Sequence, residues 1–301
     1  MAESGHAAPR RVWDQQSVWS QAADAAKRTI ERTRAVGLVL AVAAAVLSTA
    51  AAQTMAWHAE VGKVLAFLAA ALAGLAPLVA LRSGPAALRD WTRLRSVSEA
   101  LKSELYTFLA GASVYRASEA GEDPAGVERT LLSRTEDVIT DAADLAWLTT
   151  AHTPRSRALP PVFDVDSYVT IRVAAQIRDY YRPRATQMGR RSTVVQRVEL
   201  LLAATAALLS AAAGAFGTDQ AAAWVATVTT VAAAVTAHAA AARYAYQELE
   251  FSRTAAELES LLVRRTAACH AAPDSDDAFV ERCELTISAQ NEAWMAKWAT
   301  D

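Results

Sequence analysis

Charged side chains vanish from four long windows of this chain. No Asp, Glu, Lys or Arg occurs from Ala35 to Ala59, from Val64 to Leu81, from Leu200 to Thr218 or from Gln220 to Ala242. A helix needs about 20 apolar residues to cross a hydrocarbon core of roughly 30 Å, so all four windows are long enough, with Val64–Leu81 near the minimum. Only a helix or a closed barrel satisfies its own backbone in lipid, and Ala/Leu-rich runs choose the helix. The pattern therefore predicts transmembrane helices at about 35–57, 64–82, 198–217 and 220–242. The fourth, mostly Ala, Val and Thr with Gln220 and His238 inside it, would insert only marginally by itself. The alternative, a soluble bundle of buried Ala-rich helices, is the less favoured reading.

Outside the windows the pattern changes to amphipathic helices. Leu94, Leu101, Leu105 and Phe108 share one helical face. Val127, Leu131, Val138, Ala142 and Leu145 form a second seam, opened by Asp123 as N-cap and Pro124 at the first helical position. Val280, Cys283, Ile287, Trp294 and Trp298 form a third. No stretch alternates with the period of two that a strand requires. The fold class expected is an all-α integral membrane protein.

The basic residues set the orientation. Lys27, Arg28, Arg32 and Arg34 precede the first window, and Arg82, Arg89, Arg93 and Arg95 follow the second. Arg184, Arg190, Arg191 and Arg197 precede the third, and Arg243 follows the fourth. The short hairpin loops carry only His58, Glu60 and Lys63 in one case and Asp219 in the other. The positive-inside rule then places both termini and the central region in the cytoplasm of a multi-pass protein of the cell (inner) membrane, with Trp57 and Trp224 at the outer interface. A cleaved signal peptide is not expected, because the apolar run begins only after about 34 more polar residues. Residues Met1–Pro9 are expected to be disordered.

The same plan occurs twice. An amphipathic segment, a basic cluster, an apolar hairpin and a pair of polar helices fill residues 10–150, and the order recurs in residues 167–301 after a Pro-, Arg- and Asp-rich linker at 151–166. Arg34 aligns with Arg197, Trp91 with Tyr244, Glu104–Leu105 with Glu257–Leu258, and Val127-Glu128-Arg129 with Val280-Glu281-Arg282. Glu136 and Trp147 echo Glu284 and Trp294, at spacings of 11 and 10. Trp147 and Trp294 are expected to be buried against their own half's post-hairpin helix, near Glu104 and Glu257. An indole's apolar body with one N–H donor suits such a site.

Composition excludes more than it assigns. With 30 Lys+Arg against 32 Asp+Glu, nothing argues for a nucleic-acid partner. No Gly-rich phosphate loop, metal-ligand spacing or nucleophile–base grouping occurs, so no enzyme, cofactor or metal is expected. Cys269 and Cys283 are expected as buried thiols, and Asp164 and Asp166 as capping or solvated linker residues. One weaker pattern remains: Gln220, Thr227, Thr230 and His238 fall on one face of the fourth window. Polar residues at membrane depth face protein or water. They would either line an oligomeric pore or pack inside the monomer, their Thr hydroxyls bonded one turn back.

The hairpin with its basic flank, the run Arg93-Leu-x4-Glu-Ala-Leu-Lys-x-Glu-Leu-Tyr-x-Phe108, and the late segment Phe279-Val-Glu-Arg-Cys-Glu…Asn-Glu-Ala-Trp294 resemble the SLATT superfamily of two-transmembrane effector domains. The chain resembles a tandem form over about residues 12–300. It departs from the pattern in having Asp144 near the expected acidic position before Trp147, and in its Ala/Thr-rich fourth span. The resemblance implies a membrane-perforating effector of a bacterial conflict system, forming homo-oligomers in the lipid bilayer beside a nucleotide-sensing or nucleotide-synthesising operon partner. The alternatives are a non-conducting membrane scaffold that recruits cytoplasmic partners and, less favoured, a secondary transporter, whose repeats commonly carry a midplane ionisable or broken-helix site.

The orientation is directly testable. Impermeant thiol reagents in intact cells should label cysteines engineered at residues 57–63 and 217–219, and spare one at Ser118. Labelling at Ser118 would overturn the topology.

Overall fold

The computed structural model describes residues 7–116, 124–267 and 273–299, with residues 273–274 and 290–299 by backbone alone. Every regular element in it is helical, as the periodicity predicted. In chain order these are α1 (Ala7–Met55), α2 (Ala59–Leu81), α3 (Pro85–Leu109), α4 (Pro124–Thr140), α5 (Ala146–Thr149), α6 (Val165–Tyr168), α7 (Arg182–Phe216), α8 (Asp219–Ala242), α9 (Tyr244–Ala267) and α10 (Pro273–Ala299). Two π-helical stretches, Val169–Ala174 and Ile177–Tyr181, lie between α6 and α7. Four helical runs are long and apolar enough to cross a membrane.

By compactness the chain divides into two units, and they follow chemistry rather than sequence halves. One unit comprises Thr29–Gly84 and Thr186–Glu248, which hold all four apolar windows. The other comprises Met1–Arg28, Pro85–Ala185 and Leu249–Asp301.

In the first unit the usual inside-out order is reversed. Phe67 (81%), Leu81 (77%), Leu208 (73%) and Phe216 (79%) are among the most exposed side chains, as lipid-facing residues should be. Along the hairpins the buried positions are small, Ala44, Ala51, Ala69, Gly62 and Thr227, while the larger buried residues of this unit, Ile30 and Met188, lie before the apolar windows. Small residues let helices approach closely in lipid, where contact and hydrogen bonding must replace the hydrophobic drive. Gly62 shows the limit, since a Cβ there would sit 2.9 Å from the Met55 Cα. The first hairpin turns through Trp57 and His58, whose amides donate to the Thr54 carbonyl at 3.0 and 2.8 Å. The second turns at Gly217, which ends α7 in the left-handed region at φ 60. Arg243, at φ 50, interrupts the backbone between α8 and α9.

The second unit has an ordinary buried core with α3 at its centre. Leu94, Leu101 and Leu105 are fully buried, and α3 packs along both α4 and α10. From α4 comes Leu131; from α10 come Val280, Cys283 and Ile287; from α9 come Phe251 and Leu258. Pro124 opens α4, as expected. The α10 seam thus meets α3, a helix of the other sequence half, where own-half pairing was expected.

Two further expectations are corrected. Residues 7–9 are helical, with Ala8 buried, so the helix begins earlier than the sequence suggested. Trp147 is 67% exposed. Its short helix follows a 3-10 turn at Ala143–Leu145, and Leu145 rather than Trp147 enters the core. Asp144 forms a two-pronged ion pair with Arg93, at 2.5 and 2.8 Å. Residues Met1–His6, Asp123 and Cys269, and the side chains of Trp294 and Trp298, lie outside the described residues.

The linker has no regular structure between residues 152 and 163, yet it is bound along α1. The Trp13 indole donates to the Ala158 carbonyl at 2.9 Å, and the Arg157 guanidinium stacks 3.4 Å from that ring. Gln21 donates to the Thr153 carbonyl at 2.8 Å, and the Arg155 amide donates to Ser17 Oγ at 3.1 Å.

Burial separates two substitutions that look alike in sequence. Leu131→Ala should lower stability by about 2–5 kcal/mol, because it opens a cavity against α3. Trp147→Ala should change it by about 0.5 kcal/mol or less, as at an open surface. Thermal unfolding of the full chain in nanodiscs measures both, and equal losses would contradict this packing.

Candidate functional site

The most concentrated polar chemistry lies inside the second unit, on the π-helical stretches. Asp164 caps α6: its carboxylate accepts from the Ser167 amide at 2.7 Å, and Ser167 Oγ accepts from the Asp164 amide at 3.0 Å. The chain then runs through Val169, Thr170, Ile171 and Val173, β-branched residues that favour a regular α-helix poorly. Its buried residues, Tyr168, Arg172, Val173, Ile177 and Tyr181, recur every four to five positions. That is the wider period an i→i+5 ladder imposes.

Arg172 is 1% exposed and is gripped on all sides. Its Nε and Nη2 donate to the two Glu284 oxygens, both at 2.9 Å, and its Nη1 donates to Gln176 Oε1 at 3.0 Å. The Tyr168 hydroxyl donates to Glu284 Oε1 at 2.8 Å. The Tyr106 ring lies 4.8 Å from the guanidinium. Two parallel N–H···O bonds to a carboxylate are the strongest form of this contact. Burial opposes the charge on Glu284, but Arg172, Tyr168 and Ser103 together keep its carboxyl below the usual range. The same burial, with Glu284 beside it, pushes the Cys283 thiol up to about 12, so the thiol is inert.

A second charged group adjoins the first. Arg95 Nη2 lies 2.8 Å from Glu99 Oε1, and Lys102 Nζ lies 4.0 Å from Glu99 Oε2. Glu99 Oε2 has no hydrogen-bond partner among the described residues. Burial works against the Glu99 carboxylate, yet Lys102, Arg95 and Arg172 hold its pKa at about 2. Burial lowers Lys102 to about 8, against the pull of Glu99. Two buried carboxylates therefore face the buried Arg172 and the partly exposed Arg95 and Lys102.

The duplicated acidic and aromatic positions do not behave as equivalents. Glu284 is buried in this cluster, whereas Glu136 is exposed on α4. Glu104 accepts from the Tyr115 hydroxyl at 2.5 Å and from Arg134 at 2.8 and 3.0 Å, while Glu257 is exposed on α9. The sequence marked neither charge as buried: Arg172 was passed over, and Glu99 stood only within the family-like run Arg93–Phe108. The period of four to five across residues 168–181 was the available signal.

The polar face of α8 divides in two. Thr227 is 5% exposed and its hydroxyl meets Thr49 of α1, so it belongs to an internal helix contact rather than an open face. Thr230 is exposed with its hydroxyl bonded back to the Ala226 carbonyl at 2.8 Å; Gln220 is exposed and His238 half-buried. Thr236, outside the predicted set, donates to Glu199 of α7 at 2.7 Å.

Four apolar helical runs, a lipid-type surface and an interior charge cluster define an all-helical, multi-pass membrane protein. Residues 168–294 match the family model of SMODS and SLOG-associating 2TM effector domain 1, and residues 17–123 match that of DUF4231, a protein family of unknown function. The two matches together are consistent with a SLATT-type protein, with the two-transmembrane effector domain falling on residues 168–294. No curated protein and no solved structure matches it.

The cluster predicts a two-armed pH dependence. Glu99 is depressed from 4.5 to about 2, so its stabilisation is complete above 4.5 and is lost as pH falls through 2. Lys102 is depressed from 10.5 to about 8, so the unfolded chain binds the extra proton and stability rises between those values. Melting temperature against pH in nanodiscs should show both arms. Glu99→Gln should remove the acid arm and widen the alkaline one, because Lys102 loses the charge that raises it, and Lys102→Met should remove the alkaline arm and weaken the acid one; unchanged profiles would contradict the coupling.

Proposed function

We propose that this chain is a membrane effector that assembles with further copies to open a leak in the cell membrane, under control of its polar helical unit in the cytoplasm. The observation that carries this reading is the bareness of the spans. In the most apolar window of each spanning run, at most 6% of residues are buried within the chain. Faces so little used internally are left for lipid or for other copies. Those of α7 and α8 are rich in Ala and Thr, which suits close helix contact. The effector-domain match at residues 168–294 points the same way. Basic flanks on both hairpins support cytoplasmic termini. We assign no catalysis to the chain, and the operon partner implied by the SLATT resemblance would supply the signal.

Of the predicted face, Gln220 and Thr230 remain available to an oligomer and Thr227 does not. The Thr49–Thr227 contact favours a second reading, a non-conducting scaffold, because it commits span polarity to internal packing. Dye release from proteoliposomes separates the two. Thr230→Leu should reduce release several-fold while leaving expression and oligomer size unchanged. A chain that never releases dye, even with its operon partners and their nucleotide supplied, would leave the scaffold reading standing.

A further inference from the structure

We propose that the second unit contains a binding site for a small organic anion with an apolar body, in the cavity between α6, the end of α9 and the start of α10. The cavity measures about 650 Å³, within the range of ligand sites. Its floor is apolar: Leu261, Leu262, Val169 and Phe279. Three arginines border it, Arg264, Arg265 and Arg282.

The three are not equivalent. Arg265 is committed: Asp166 binds its Nη2 at 2.9 Å, Asp276 takes its Nη1, and its guanidinium lies 4.9 Å from the Phe279 ring. That pairing uses both carboxylates of the cavity lining and fixes one wall. Among the described residues Arg264 gives only its Nε, to the Ser260 carbonyl at 3.3 Å, which leaves both Nη groups for a ligand. Arg282 is exposed and has no carboxylate partner among the described residues. The lining thus offers two uncommitted guanidinium forks above an apolar floor. Phosphate or carboxylate answers the forks, and a flat or apolar body answers the floor. An inorganic ion would leave the floor wet, and a neutral apolar molecule would leave the forks unanswered.

Occupancy would hold the start of α10 against α9. α10 also carries Glu284, the partner of Arg172, so a ligand here favours the docked position of that helix. Only this consequence rests on the effector reading; the binding itself does not.

The test uses the full chain in nanodiscs, with 1-naphthyl phosphate as probe and thermal unfolding as readout. A saturable rise in melting temperature is expected, larger than that from inorganic phosphate or 1-naphthol at the same concentration. The double variant R264A/R282A should melt normally without probe and bind it about tenfold or more weakly, having lost two charge-assisted contacts. Ala278→Trp, which fills the cavity from its exposed rim, should also abolish the shift. No shift, an equal shift in both variants, or an equal shift with inorganic phosphate would overturn the site. Binding without any effect on dye release would keep the site and remove its link to the leak.

Discussion

Arg172 and Glu284 stand 112 positions apart and meet where almost no water reaches. A charge in such a place is tolerable only when fully answered, and removing either partner from a buried pair typically costs about 3–5 kcal/mol. The pairing therefore acts as a geometric condition on the second unit. It fixes α10 against the π-helical stretch, and Tyr168, Gln176 and Tyr106 complete the shell around it. Val280, Cys283 and Ile287, which flank Glu284 on α10, can then fill the space beside α3. An apolar pair of equal volume would hold the helices together as well, but it would tolerate sliding. The two-pronged contact does not.

The spans obey a different rule. Where the second unit hides Leu and Tyr, the hairpins of the first display Phe67, Leu81, Leu208 and Phe216 and hide Ala, Gly and Thr. Both arrangements follow from one principle applied in two solvents. In water, apolar area is driven inward. In hydrocarbon that drive vanishes between helices, and closeness of approach decides which residues meet. The Thr49–Thr227 contact is the polar form of the same preference.

Legibility in the sequence followed the strength of the underlying physics. The spans were legible because exclusion of charge from lipid costs so much that it leaves charge-free windows. The seams of α3, α4 and α10 were legible because a helix repeats its faces every 3.6 residues. Asp164 as a cap was legible because its chemistry is local. What could not be read was choice of partner. The face of α10 marks Cys283 and Ile287 as inward, but nothing along α10 says that the helix opposite is α3. The same gap misplaced Trp147, whose motif matched a buried pattern while the 3-10 turn before it sent Leu145 inward instead. Arg172 escaped notice because a lone arginine among β-branched residues resembles a solvated position until its partner from α10 is known.

The strap formed by residues 152–163 bears on how such a chain is made. Its bonds to α1 join positions 132 to 145 residues apart. During synthesis, Trp13, Ser17 and Gln21 therefore emerge long before the carbonyls and amides that satisfy them, and the first hairpin is complete in the interval. Domains on a growing chain tend to fold from the N-terminus as units, but this one cannot close at its first helix until the linker has been translated. The beginning of the protein waits for its middle, and a ribosome halting before residue 153 would release a hairpin whose leading helix still lacks its clasp.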